Sequence, residues 1–121
     1  QPGDRVMAFG MLGGMAELLA VPDATTFALP ESLSFEQGAA FPMNYHTAHF
    51  SLVRRGRLEA GESVLVHGAA GGVGTASIQV AKGLGARVLA VVRSDDQAAV
   101  ARDAGADVVL RRAGPRRRSP I

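Results

Sequence analysis

Cysteine is absent from this chain of 121 residues. That excludes disulfides, thiolate–zinc sites and a cysteine nucleophile within it. Long apolar runs are also missing: none approaches the roughly 20 residues that a bilayer-crossing helix needs. The N-terminus does not show the basic, apolar, small-residue order of a secretory signal. The expectation is a cytoplasmic chain with no membrane partner. Aromatic residues make up only 5%, and basic charge in excess is confined to one end. Arg111, Arg112, Arg116, Arg117 and Arg118 raise the net charge to +2; the remainder holds eight basic against eleven acidic residues. The body therefore has no electrostatic footprint for nucleic acid, and the tail has no aromatic ring to stack on a base. A nucleic-acid module using the arginine tail is the least favoured alternative. What is present is ordinary for one small globular domain: 47% apolar and 20% charged residues, which excludes a disordered or collagen-like chain. Twelve of the thirteen basic residues are arginine, a bias expected of a GC-rich bacterial gene.

The texture changes near Ser34 and again near Glu62. In residues 1–33, short apolar runs are broken by turn residues. Pro2-Gly3-Asp4 reads as a turn, Val6 to Phe9 as a strand, and Ala16 to Val21 as a second strand after Gly10, Gly13 and Gly14. Two short strands do not close a core, so this reads as part of a larger β-rich domain. Ser34, with Gln37 three residues on, forms a capping-box signal for a short helix that stops near Pro42. A second helix is expected from about Tyr45 to Arg55, ended by Gly56. From Glu62 the order becomes strand, glycine turn, helix, strand, helix, strand. The strands are Ser63 to Val66, Arg87 to Val92 and Asp107 to Leu110. The helices are Val73 to Leu84, with Val73, Ala76, Val80 and Leu84 on one face, and Asp95 to Ala104. This alternation gives an α/β fold class, a parallel sheet with right-handed crossovers: a partial Rossmann βαβαβ unit over residues 61–110. Residues 34–60 read as linking helices and 111–121 as a disordered basic tail.

The most informative stretch is Val64-Leu65-Val66-His67-Gly68-Ala69-Ala70-Gly71-Gly72-Val73-Gly74. A glycine motif alone is weak, but this one leaves a buried strand and opens a helix that leads to a second strand. Ala69, Ala70, Gly71, Gly72, Val73 and Gly74 form its core, with alanine in place of the first glycine. Gly71 removes a side chain where backbone approaches a pyrophosphate, and Gly74 lets the helix lie close to the strand. The helix N-terminus then offers free N–H groups and about half a positive charge to the phosphates. A tight turn without a ligand is the alternative. At the tip of the second strand, a carboxylate would hold the ribose 2′-hydroxyl of NAD and an arginine the 2′-phosphate of NADP. Arg93 and Ser94 stand there, which favours NADP. The competing readings leave Arg93 as a surface charge, or bring Asp95 to the ribose of NAD.

These residues resemble the medium-chain dehydrogenase/reductase superfamily, in its zinc-independent quinone oxidoreductase (zeta-crystallin-like) branch. The resemblance is carried by Pro2-Gly3-Asp4-Arg5-Val6, Leu29-Pro30, Leu33-Ser34-Phe35-Glu36, Asn44-Tyr45-His46-Thr47-Ala48 and the run from Gly61 to Gly74. It implies that residues 1–33 end a GroES-like catalytic domain and that residues 61–110 begin a Rossmann NADP-binding domain. The chain thus reads as an internal segment of an enzyme whose full-length relatives are homodimeric. The implied activity is hydride transfer from NADPH to a quinone or an α,β-unsaturated carbonyl compound. The implied site residues are Thr47 near the nicotinamide, with Asn44 and Tyr45 beside it. A helix start is the alternative for these three, since Asn and Thr cap well. Zinc-dependent relatives carry a metal ligand four residues before the position of Thr47, where this chain has Met43, so no metal is expected. His46 and His49 lack a third ligand, and His67 is expected to pack or bond backbone. Gln97 stands where relatives often carry a lysine near the adenosine phosphate. The remaining alternatives are a non-catalytic dinucleotide-binding remnant and a segment of an enoyl-thioester reductase.

Overall fold

The computed structural model describes residues 1–112, and the architecture is α/β as expected. The part of the expected tail at residues 113–121 lies outside the described residues. The chain divides into two units, Gln1–His46 and the part from Thr47 onward.

In the first unit, strand β1 (Val6–Ala8) pairs antiparallel with β2 (Thr26–Ala28), with Met7 opposite Phe27. The expected second strand over Ala16 to Val21 does not form. Gly13 takes a left-handed φ of 89° ahead of it, and Met11, Leu12, Met15 and Leu18 stay exposed. The pairing goes instead to β-branched and aromatic residues aimed by the turn at Pro22, whose carbonyl accepts from the Thr25 and Thr26 hydroxyls. Helix α1 (Phe35–His49) starts at the expected capping box: Gln37 N–H donates to Ser34 Oγ at 3.2 Å, and Ser34 N–H to Gln37 Oε1 at 2.9 Å. The helix does not stop at Pro42. Phe41 and Tyr45 stack across the proline with ring centroids 4.2 Å apart, a contact one turn long that offsets the missing ladder bond. The expected second helix is thus the end of α1 followed by a π-helical turn, Phe50–Arg55. Gly56 closes it through an N–H bond to Ser51 O at 2.7 Å.

The second unit is built on β3 (Ser63–His67), β4 (Arg87–Val92) and β5 (Val108–Arg111), parallel and in the order β3-β4-β5. Helices α2 (Gly72–Gly83) and α3 (Asp95–Asp103) form the crossovers. Val66, Val88, Ala90 and Val92 form the core with Ala69, Ile78, Ala81, Ala98 and Ala101 of the connecting turn and helices. The opposite face of the sheet carries Leu65 and Leu110, 51% and 42% exposed. The face α2 turns inward differs from the expected one. Gly74, Ala76, Ile78 and Ala81 are buried, while Val73 is 41% exposed. Gly74 sets this rotation, because any side chain at that position would collide with the preceding turn. Strand β5 runs through Arg111, and Arg112 N–H donates to Val92 O at 2.9 Å, so the first two tail arginines belong to the sheet.

Asp107 ties these elements together. Its carboxylate accepts from Lys82 Nζ at 2.8 Å on α2 and from Val88 N–H at 2.7 Å on β4, just before β5 begins. These two donors hold the carboxyl below its ordinary pKa. A carboxyl depressed in the folded state stabilises it above the unfolded pKa of about 4 and loses that contribution as pH falls further. Asp107→Asn is therefore expected to lower the melting temperature at neutral pH and to flatten the loss of stability below about pH 4. Thermal melts of both proteins across the acid range check this; parallel curves would refute it.

Candidate functional site

Where β3 ends, the chain turns sharply into α2. Gly68 takes a left-handed φ of 62°, and its carbonyl accepts from Gly71 N–H at 3.0 Å. The left-handed residue is therefore Gly68, one position before Ala69, which is fully buried. Gly68 lies in the informative stretch but outside the expected core of Ala69 to Gly74; its signal is its place directly after the strand. Gly74 is held for space: a Cβ there would lie 2.3 Å from Gly68 O and 2.8 Å from Ala69 Cα. Gly71 is different. Its φ of −83° and ψ of 170° suit any residue, and a Cβ would make only an ordinary 3.4 Å contact with Gly68 O. Gly71 caps α2 without a side-chain bond, and the first ladder bond runs from Thr75 N–H to Gly71 O at 2.8 Å. The amides of Gly72, Val73 and Gly74 thus precede the helical ladder and form the positive end of the helix dipole.

The second junction, between β4 and α3, carries Arg93 and Ser94. Ser94 is the N-cap, its Oγ accepting from Gln97 N–H at 3.3 Å, and Gln97 Oε1 accepts in turn from Arg93 N–H at 2.9 Å. Gln97 therefore fixes the backbone of the residue expected to meet the ribose. Asp95 is engaged by Arg111, with Nη1 3.1 Å from Oδ1. The two junctions meet around a cavity of about 520 Å³ lined by Gly68, Ala70, Gly71, Arg93, Asp96 and Arg112, among others. Of the expected cofactor residues, Ala70, Gly71 and Arg93 line it directly. Ala69 is buried in the turn, Gly72, Val73 and Gly74 form the first turn of α2, and Ser94 caps α3. Gln97, expected near the adenosine phosphate, lines the cavity too, whereas Asp96, Val100 and Arg112 were not anticipated as lining residues. Their membership depends on α3 and β5 returning to the same edge, which no local motif signals.

Asn44, Tyr45 and Thr47 all sit on α1 and do not line this cavity. Asn44 Nδ2 donates to Ala40 O at 3.0 Å, Tyr45 stacks on Phe41, and Thr47 is half-buried. They lie inside the helix, which rules out a helix start as the reason for them. His46 packs edge-on against Phe27 at 5.0 Å. His67 does not pack within the core; it is exposed at the cavity. Among the described residues, no three His, Asp or Glu side chains form a metal-ligand cluster.

A family model described as zinc-binding dehydrogenase matches residues 72–118. Over 95 residues, 78% of this chain, the sequence is 50% identical to quinone oxidoreductase of Rattus norvegicus. The crystal structure of a probable oxidoreductase from Mycobacterium abscessus superposes on 92% of the chain, with a TM-score of 0.87 and 50% identity. Quinone oxidoreductase from Thermus thermophilus, also solved in complex with NADPH, covers 91% at a TM-score of 0.85 and 42% identity. The chain is similar to quinone oxidoreductases over most of its own length. It spans about a third of these relatives: 29% of the rat protein and 37% of the Thermus chain.

Proposed function

We propose that this chain supplies the adenosine and pyrophosphate half of an NADPH site in an oxidoreductase that reduces a quinone or an α,β-unsaturated carbonyl compound. The observation that carries the proposal is Gly71. The protein has room for a side chain there and the backbone has no need of glycine, so the bare position serves something outside the protein. A pyrophosphate fits that need: it must approach backbone amides closely, and the start of α2 aims three of them at it. The solved NADPH complex of the Thermus relative supports the same choice.

When bound, NADPH supplies a hydride. This chain's part is to hold and orient it. The α2 amides take the diphosphate, Arg93 and the Ser94 hydroxyl proton meet the ribose phosphate, and the cavity shields the adenosine from water. Thr47, with Asn44 and Tyr45, is proposed to stand near the nicotinamide, as the family resemblance implies. The reaction is proposed to be zinc-independent. The chain has no cysteine, and Met43 offers a thioether where zinc-dependent relatives place a ligand.

Titration of the chain with NADPH, followed by addition of a quinone, tests the reading. Saturable binding with oxidation of NADPH is the expected result. Binding without consumption would leave a dinucleotide-binding segment that catalyses nothing alone. No binding would overturn both.

A further inference from the structure

On the reading that the site takes NADPH, we infer that Arg112 at the end of β5 joins Arg93 in a two-arginine clamp for the ribose 2′-phosphate. Both residues line the same cavity. Their positions follow from the sheet. Val92 and Arg111 are the last paired residues of β4 and β5, and Arg112 N–H bonds Val92 O one step further on. Arg93 and Arg112 therefore leave adjacent strands at the same level, with backbones about 5 Å apart. Two long guanidinium side chains from that spacing reach one small dianion together, each through charge-assisted hydrogen bonds.

The carboxylates nearby agree with an anion site. Asp95, whose carboxylate could have selected a ribose hydroxyl, is paired with Arg111. Asp96 is the one acidic residue among the described residues that line the cavity, against the two arginines. His67, at the end of β3, also lines the cavity. Gln97 Oε1 accepts from Arg93 N–H and so fixes the backbone from which the first arginine leaves. A lone surface arginine would have no such partner across the cavity.

The 2′-phosphate is the whole difference between NADPH and NADH, so their affinities for the complete chain isolate the clamp. Wild type is expected to prefer NADPH. Arg112→Ala is expected to lower NADPH affinity about tenfold, the loss of one charge-assisted contact, and to leave NADH unchanged. Arg93→Ala should behave alike, and in both variants the remaining preference should weaken further with salt. Arg112 takes part in the sheet through its main-chain N–H, which alanine keeps, and a thermal melt verifies the fold. Equal loss for both nucleotides in Arg112→Ala, or no loss for either, would overturn the clamp while the dinucleotide site stands. Failure of wild type to bind either nucleotide would overturn the site itself, and the clamp with it.

Discussion

Gly74→Val is expected to unfold the βαβαβ unit or leave it barely stable. The added Cβ would lie 2.3 Å from Gly68 O and within 3 Å of two atoms of Ala69, all of them backbone. Flexible side chains could swing aside; a turn pinned by Gly71 N–H to Gly68 O and by Ala69 N–H to Val91 O cannot yield without losing those bonds. Overpacking of a fitted core costs about 1–3 kcal/mol, and a clash with fixed backbone belongs at or above the top of that range. Domains of this size are stable by about 5–15 kcal/mol, so the loss is a large share of the total. Urea denaturation followed by circular dichroism measures it. A midpoint close to wild type would show that the turn has a freedom its contacts deny.

Gly71→Val should do the reverse. Position 71 has extended backbone with negative φ, which valine accepts readily, and its Cβ would meet one carbonyl at ordinary distance. Stability is expected to fall by less than about 1 kcal/mol, the scale of an altered N-cap. NADPH affinity is expected to fall about a hundredfold, equivalent to about 3 kcal/mol, because the methyl groups occupy the approach to the α2 amides. Calorimetric titration beside a denaturation curve separates the two effects. On the proposed function the pair of glycines divides the motif by purpose: Gly74 serves the fold, and Gly71 serves a ligand. An unchanged affinity in Gly71→Val would remove the observation on which the proposed function stands.

Features that depend on residues within one turn of each other were legible before any coordinates. The Ser34–Gln37 cap needs only a spacing of three, and both of its hydrogen bonds form. The α/β alternation and the glycine turn are likewise local patterns, readable from strand composition and the helix start. Other features depend on what a segment meets. Pro42 signals a stop, yet an aromatic stack carries the helix past it. Ala16 to Val21 has the composition of a strand, but Thr26–Ala28 pairs with β1. The inward face of α2 was misread because apolar periodicity does not register that Gly74 has to face Gly68.

The amino-acid sequence by itself determined the class of fold and the β-turn-α unit at residues 63–83 on which the proposed ligand rests. Tertiary structure alone decided how α2 is rotated, that Asp107 links α2 to β4, and that Arg112 shares a cavity with Arg93. The reason is range. Helix caps and turns are set by bonds a few residues long, whereas residues 93 and 112 become neighbours only once β5 adds to β4 in register.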